Sequence, residues 1–302
     1  MDHKRIIKDS VKNNLGATAL ECTPVGNGAV GSVWRVSCDK YLETLAVKIS
    51  PHRDLLQREY EMLKFLRENT KSLVPKAYWF DSKDGTGIMA MEYINGISGD
   101  SEEIKNHADR GKLSESIINN LLLIQEAHND KFGPYDAPVY DSWQEYYMGF
   151  ARDIYEFAKK KYSENSLDVK VIKAVETSYK ILDKVFSGEK IVPTLIHGDY
   201  WMANLIIDRE TWNLLSVVDP FNIMWADPEY ELFALVAGFG EELSLYELYK
   251  SKVKVSAYCD VKIRIYALYS ELLWYKKLGS IDHSFVGMLS DKMIYEMRKH
   301  NI

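Results

Sequence analysis

Residues 196–208 read IHGDYWMANLIID, and residues 214–220, after a polar turn, read LLSVVDP. Short apolar runs bounded by turn residues are typical of buried strands. A polar side chain that can carry chemistry stands at the border of each apolar run in this stretch: His197, Asp199, Asn204 and Asp219. The pattern therefore predicts that two carboxylates and an amide are held at strand ends on a rigid base.

This arrangement suits phosphoryl transfer from a nucleotide triphosphate. Magnesium takes hard oxygen ligands, usually one or two carboxylates plus phosphates, and Asn204 and Asp219 would supply such oxygens. Asp199 would accept a proton from an attacking hydroxyl, and its spacing from Asn204 matches the D-x-x-x-x-N pattern of a base and a metal-binding asparagine. The alternative is that HGD is only a turn and that Asp219 only caps a strand.

The bulk composition limits the classes of partner. The chain has 302 residues, 46% of them hydrophobic, and a formal net charge of −6. This length predicts two domains or one bilobal unit, and the acidic balance favours a neutral or cationic small partner over nucleic acid. The three cysteines form no C-x-x-C pair, which fits a reducing cytoplasm better than disulfides or a zinc site. Without an apolar signal core or a bilayer-length apolar run, we expect a cytoplasmic protein with no membrane partner.

A glycine-rich segment near the N terminus, PVGNGAVGSVW at 24–34, has the pattern G-x-G-x-x-G-x-V. In such a segment, backbone N–H groups can approach phosphate oxygens without side chains in the way. A dinucleotide-binding loop would follow a buried strand and open a helix, but here the next residues, VWRVSC, alternate like a strand. The context favours a phosphate-binding hairpin over a dinucleotide fold, and a plain hairpin stays an alternative. Its candidate nucleotide-binding residues are Gly26, Gly28, Gly31 and Val33.

A lysine stands inside the next predicted strand, TLAVKI at 44–49. Lys48 is costly there unless it is paired or bound to an anion, although an edge strand would also let it point to solvent. Periodicity predicts a helix over 55–68 that carries Glu59 on its apolar face and Glu61 on the opposite side. We therefore expect Glu59 to pair with Lys48 and to orient it on the nucleotide phosphates.

A hinge is expected where the strand GIMAMEYI ends. In a kinase-like arrangement, backbone groups at Glu92, Tyr93 and Ile94 would bind adenine. We place the lobe boundary there, with a β-rich nucleotide-binding lobe at 1–94 and a mainly helical catalytic and substrate-binding lobe at 95–302. Further along, Asp227 followed by a proline predicts a helix start. A second role, bracing the catalytic loop, would suit either Asp227 or Glu231.

These parts stand in the order found in kinases, with informative departures. The base loop reads HGD and not HRD, the metal motif reads DPF and not DFG, and no APE follows. The chain thus resembles the aminoglycoside phosphotransferase and fructosamine kinase superfamily, the small-molecule branch of the protein-kinase-like fold, over nearly its whole length. HGDYWMAN, VVDP and ADPEYELF are most similar to fructosamine kinases, whose loop carries a tryptophan where Trp201 stands. GNGAVGSV is closer to protein kinases.

The resemblance implies an α+β, bilobal fold and an enzyme that uses ATP or GTP with Mg²⁺. It makes Asp199 the catalytic base and Asn204 and Asp219 the magnesium ligands, and it lets His197 brace the loop around Asp219. The acceptor would be a hydroxyl of a small molecule, amine-bearing in fructosamine or aminoglycoside kinases. Candidate substrate residues, which could equally be ordinary surface or packing residues, are Trp201, Glu241, Glu242 and Glu271.

Three other functions remain open at this point. An antibiotic O-phosphotransferase would share the chemistry and differ only in the acceptor. A protein kinase would also fit the residue order, although the missing APE motif disfavours it. A nucleotide-binding pseudokinase that acts as an interaction module is disfavoured because the base, the lysine and the metal residues are all present.

Overall fold

The computed structural model describes residues 2–28, 31–40, 43–187 and 190–302. Ala29 and Val30 of the glycine-rich segment therefore lie outside the described residues. Contacts divide the chain into two compact units, Met1–Ile124 with Asp199–Phe221 and Gln125–Gly198 with Asn222–Ile302. The predicted lobe boundary at residue 94 falls inside the first unit. It stays a prediction, because it separates nucleotide binding from substrate binding, whereas the two units are defined by packing.

The secondary structure is mixed, with strands concentrated toward the N terminus and helices toward the C terminus. The helices are α1 His3–Leu15, α2 Arg53–Asn69, α3 Glu102–His107, α4 Arg110–Gln125, α5 Trp143–Ser163, α6 Val169–Phe186, α7 Phe239–Glu242, α8 Leu245–Lys252, α9 Cys259–Leu278 and α10 His283–Lys299. The strands are β1 Ala19–Asn27, β2 Ser32–Cys38, β3 Leu45–Ser50, β4 Ala77–Lys83, β5 Thr86–Glu92, β6 Ile97–Ser98, β7 Gly133–Pro134, β8 Thr194–Ile196, β9 Leu205–Ile207, β10 Leu214–Val217 and β11 Met224–Ala226. The described residues also form 3₁₀ segments at Met202–Asn204 and Pro228–Val236.

The first unit is built on a five-stranded antiparallel sheet in the order β1-β2-β3-β5-β4. Successive side chains of β3 point to opposite faces of this sheet. Leu45, Val47 and Ile49 join a core cluster with Ile6 and other apolar residues of α1. The alternate residues of β3 face the other way, which explains how a lysine fits inside a strand that is buried along its whole length. A smaller sheet, in the order β10-β9-β6, lies in the same unit.

The second unit is mainly helical, with a three-stranded sheet in the order β7-β11-β8. Its core holds a group of packed aromatic rings from α5, α6, α9 and the second 3₁₀ segment: Trp143, Tyr147, Phe186, Tyr230 and Tyr266. Aromatic rings at these separations stabilise a core through burial and edge-to-face contacts. Among the described residues, no helix is long and apolar enough to cross a bilayer.

The predicted helix start after Asp227 is confirmed. Asp227 is the N-cap and its side chain accepts a 3.0 Å hydrogen bond from the N–H of Glu229, while Pro228 occupies the first helical position. The segment that follows is a 3₁₀ helix over Pro228–Val236.

Candidate active site

The lysine and the glutamate that the sequence singles out form a buried ion pair in the first unit. Lys48 Nζ lies 2.9 Å and 2.8 Å from the two carboxylate oxygens of Glu59. The two residues are 4% and 6% exposed. Glu61, two positions along α2, is exposed. The predicted pairing, and the choice of Glu59 over Glu61, are therefore confirmed.

Asp219 contributes a second carboxylate to the same lysine. Its Oδ1 lies 3.0 Å from Lys48 Nζ, and its backbone has φ 55°, in the left-handed region. Burial acts to lower the pKa of Lys48, but the carboxylates of Glu59 and Asp219 outweigh it and hold that pKa above its usual value. The Asp219 side chain is 42% exposed, in contrast to Glu59. One side of this charge cluster is thus open to a ligand.

Asp199 and Asn204 are held together by a short turn. The 3₁₀ segment Met202–Asn204 begins directly after Trp201, whose carbonyl accepts the N–H of Asn204 at 2.9 Å. The turn places the side-chain amide of Asn204 next to Asp199. Asn204 Nδ2 donates to Asp199 Oδ2 at 2.7 Å and to the backbone carbonyl of Asp199 at 2.9 Å. The N–H of Val218 donates to the Asn204 carbonyl at 2.9 Å. The turn and the residue before Asp219 are therefore directly linked.

The donor set of this region fits magnesium. The Nδ2 atom of Asn204 is engaged by Asp199, so the oxygen of the same amide is its remaining ligand atom. Asp219 adds a half-exposed carboxylate. Amide and carboxylate oxygens are the hard ligands that Mg²⁺ takes, and it fills its other positions with phosphates and water. The assignment of these two residues to a metal stays a prediction.

The glycine-rich segment lies on the β1–β2 hairpin, as predicted, over its described residues. The N–H of Gly28 donates to the carbonyl of Gly31 at 2.8 Å. A Cβ at Gly31 would lie 2.1 Å from the carbonyl oxygen of Ile49, so only glycine fits there. Val33 lies opposite Lys48 in the β2–β3 register, and Gly26 lies opposite Val33 in β1–β2. The hairpin and the lysine thus belong to neighbouring strands of one sheet.

The predicted hinge follows β5, which ends at Glu92. The N–H of Tyr93 donates to the carbonyl of Thr44 at 3.2 Å, and the Arg35 guanidinium lies 5.3 Å from the centre of the Tyr93 ring. The carbonyl of Ile94 accepts the N–H of Gly96 at 3.1 Å. These contacts fix the connection in place, and its role in adenine binding stays a prediction.

In the second unit, a buried carboxylate holds the two residues that precede Asp199 in the sequence. Glu231 accepts the N–H of His197 at 2.5 Å and the N–H of Gly198 at 3.0 Å and 3.1 Å. Of the two residues considered for bracing this loop, Glu231 makes the contacts. Asp227 instead pairs with Lys262 at 3.2 Å and accepts from Tyr266 Oη at 2.8 Å, and its alternative assignment to bracing stays a prediction. The proposed role of His197 around Asp219 stays a prediction.

Two polar residues that the structure singles out were not found from the sequence. Lys262 is buried between Asp227 and Glu229, and Asn120 is buried on α4. Asn120 stands at an apolar helical phase, one turn from the buried Ile117 and Ile124, whereas α9, which carries Lys262, is buried on most sides and has no clear apolar stripe. A polar residue at such a position must be paired when buried. For Asn120, that phase was the available signal.

The candidate substrate residues lie on separate elements. Glu241 and Glu242 are exposed on α7, and Glu241 lies 3.9 Å from Lys292. Glu271 is partly buried on α9, where burial, and to a lesser extent Asp282, raises the pKa of its carboxyl to about 7. Trp201 is partly buried in the base loop. Their proposed roles toward a substrate stay predictions.

Comparison with known proteins agrees with this geometry. A model of the phosphotransferase enzyme family matches residues 21–249. The chain is 22% identical over 296 residues to ketosamine-3-kinase of Mus musculus, a match that covers 89% of this chain and 94% of that protein.

Solved structures show the same fold. A structure from Haemophilus somnus 129PT, provisionally named a fructosamine-3-kinase, is similar at a TM-score of 0.71 and 16% identity, over 96% of each chain. A thermostable mutant of aminoglycoside phosphotransferase APH(4)-Ia, in a ternary complex with AMP-PNP and hygromycin B, is similar at a TM-score of 0.70 and 14% identity, over 96% of this chain and 98% of that one. These likenesses confirm the predicted α+β, protein-kinase-like fold.

Proposed function

The chain belongs to the phosphotransferase enzyme family, and we propose that it transfers the γ-phosphoryl group of ATP to a hydroxyl of a small, amine-bearing acceptor. The observation that carries the proposal is the grouping, within one compact unit, of the Lys48–Glu59–Asp219 charge cluster and the Asp199–Asn204 turn. This grouping supplies a cation for phosphate, oxygen ligands for magnesium and a base for a hydroxyl.

Each residue would have a distinct part in the transfer. Lys48, kept charged and oriented by Glu59, would contact the phosphates. Asp199 would take the proton of the acceptor hydroxyl as its oxygen bonds to the γ-phosphorus. The bond from that phosphorus to the bridging oxygen breaks in the same step, and ADP leaves with the electron pair. Positioning and charge neutralisation account for most of the catalysis of such transfers.

Magnesium would be held by Asn204 and Asp219. When bound, it supplies neutralisation of the charge on the phosphate oxygens. The chain's own contribution is to fix the two ligands: Asn204 through its hydrogen bonds to Asp199, and Asp219 through its contact with Lys48. Because Asn204 bonds directly to Asp199, metal binding and base orientation would be coupled.

For the acceptor, we favour a sugar amine of the fructosamine type. This is supported by the identity to mouse ketosamine-3-kinase across nearly the whole of both chains, and by Trp201 in the base loop. A second candidate is an aminoglycoside, because the fold is shared with a phosphotransferase solved with hygromycin B. Both acceptors carry hydroxyls beside ammonium groups, and the net charge of −6 favours cationic molecules.

The test is magnesium-dependent nucleotide consumption, measured with ATP and GTP against fructosamines, aminoglycosides and simple amino alcohols. We expect a fructosamine to stimulate turnover above background hydrolysis. Asp199→Asn should lower that turnover by about 10²–10⁴-fold, the usual contribution of a positioned base, and should leave nucleotide binding intact.

Asp208→Asn is the matched control, because Asp208 lies in the same unit but caps a local turn through the N–H groups of Glu210 and Thr211. It should retain turnover. Full activity in Asp199→Asn would refute the assignment of the base. An aminoglycoside as the only stimulating acceptor would select the second candidate.

A further inference from the structure

A buried asparagine lies between the two segments to which we assign the base and the metal ligands. Asn120, on α4, is 2% exposed. Its Oδ1 accepts the N–H of Leu73 at 2.6 Å, and its Nδ2 donates to Tyr200 Oη at 3.1 Å. Both ends of the amide are therefore used, and each is used by a different segment of the chain.

The first arm of this connection runs to the base loop. Tyr200 directly follows Asp199, and it is 1% exposed. Its hydroxyl donates to the carbonyl of Ile117 at 3.0 Å while it accepts from Asn120. The side chain after the proposed base is thus fixed to α4 at two points.

The second arm runs to the strand that precedes Asp219. The carbonyl of Leu73 accepts the N–H of Val217 at 2.8 Å and the hydroxyl of Ser216 at 3.4 Å. Both donors belong to β10, which ends two residues before Asp219. The amide of Asn120 therefore holds, through one intervening residue, the strand that carries the proposed metal ligand.

The base loop and the strand before Asp219 are also bonded directly to each other. Val218 donates to the carbonyl of Asn204, and Asn204 donates to Asp199. Together with the backbone that joins Asp199 to Tyr200 and Val217 to Val218, these hydrogen bonds close a ring. The ring passes from α4 to the base loop, to β10 and back to α4. Buried polar networks of this kind, when every member is satisfied, hold their parts in a single arrangement.

We propose that Asn120 is a positioning residue that sets the placement of Asp199 relative to Asp219. The proposal rests on the proposed function, since it concerns the same base and metal ligand. An isosteric Asn120→Leu would leave the N–H of Leu73 without its acceptor, and it would remove one of the two contacts that hold the hydroxyl of Tyr200 to α4. A misplacement of about 1 Å in a catalytic group lowers a rate by on the order of 10²-fold.

The experiment compares Asn120→Leu with Ser10→Ala. Ser10 is equally buried in the same unit, and its hydroxyl accepts the indole N–H of Trp79 at 3.0 Å, but it touches neither arm. Three quantities are measured for each variant: the melting temperature, the kcat and KM for ATP, and the Mg²⁺ concentration that half-saturates binding of a non-hydrolysable ATP analogue. Binding of the analogue without Mg²⁺ is measured as a reference.

We expect both variants to melt lower than the wild type. Only Asn120→Leu should lower kcat, by about 10- to 100-fold with little change in KM for ATP, and only it should raise the Mg²⁺ requirement of analogue binding. Tyr200→Phe cuts the first arm and leaves the second intact. It should lower kcat and should raise the Mg²⁺ requirement less than Asn120→Leu does, because only the Asp199–Asn204 contact passes its effect to the metal ligands.

The proposal is overturned if Asn120→Leu and Ser10→Ala show the same kcat and the same Mg²⁺ requirement. If the wild type shows no acceptor-dependent turnover, the proposed function fails, and the Mg²⁺ requirement of analogue binding still decides the role of Asn120. If Asn120→Leu does not fold, Tyr200→Phe decides it, and an unchanged kcat in that variant contradicts the proposal.

Discussion

Two buried lysines, one in each compact unit, each contact two carboxylates, yet their surroundings differ. Lys48 Nζ lies 2.8 Å from Glu59 and 3.0 Å from Asp219. Lys262 Nζ lies 3.2 Å from both Asp227 and Glu229. Both lysines are almost fully buried, and by charge count the two clusters are the same.

The difference lies in the carboxylates. Asp227 and Glu229 are both buried and accept further hydrogen bonds, from Tyr266 and from the N–H and hydroxyl of Ser256. In the Lys48 cluster, Asp219 is 42% exposed. Every member of the Lys262 cluster is therefore nearly inaccessible to solvent, and we call it the closed cluster, whereas the Lys48 cluster has one solvent-accessible carboxylate. We therefore base the proposed role of the Lys48 cluster on the accessibility of Asp219 and not on the buried charge alone.

The largest expected effect concerns the closed cluster. Lys262→Met leaves two buried carboxylates without their cation, which should lower the free energy of unfolding by about 3–5 kcal/mol. Lys48→Met should cost less, because Asp219 reaches solvent. Urea denaturation of the two variants measures the difference. Equal losses would remove the distinction between the clusters.

A smaller effect is expected at Glu271, a partly buried carboxyl whose pKa is raised to about 7 from an ordinary value of 4.5 by burial and by Asp282. The folded state then holds a proton that the unfolded state has lost, so stability falls as pH rises from about 4.5 to about 7. Glu271→Gln removes this penalty. It should gain about 3 kcal/mol over the wild type at pH 8 and little at pH 4.5.

Urea denaturation at the two pH values measures this gain. Exposed Glu126 gives the control Glu126→Gln, which should show the same stability difference from the wild type at both values. If the gain from Glu271→Gln does not depend on pH, the carboxyl of Glu271 titrates normally, and burial without a cation has no penalty in this helix.

The sequence predicted contacts between neighbouring elements of these two clusters better than contacts between residues far apart in the chain. The Lys48–Glu59 pair joins a strand and the next helix. The 3.6-residue period places Glu59 on the apolar face of that helix, and an inward glutamate needs a cation, for which the lysine in the preceding strand is the nearest candidate. The contact of Lys48 with Asp219 spans 171 positions, and only the kinase-like order of motifs brought the two together in advance.

The closed cluster was missed for a related reason. Lys262 lies on a helix that is buried on most sides, so α9 has no clear apolar stripe against which a charged residue stands out. Its partners lie about 30 residues earlier in the chain. Asp227 was recognised as a helix cap, and its second contact, to Lys262, depends on packing that local pattern does not specify.

The accessibility of Asp219 is the central claim of this account, and it can be tested by titrating a non-hydrolysable ATP analogue into the wild type and into Asp219→Asn, with and without Mg²⁺. We predict that Mg²⁺ tightens binding to the wild type, and that Asp219→Asn loses this gain while still binding the analogue when Mg²⁺ is absent. The same Mg²⁺-dependent affinity in both proteins would contradict the account, because the open carboxylate would then have no part in holding the metal with the nucleotide.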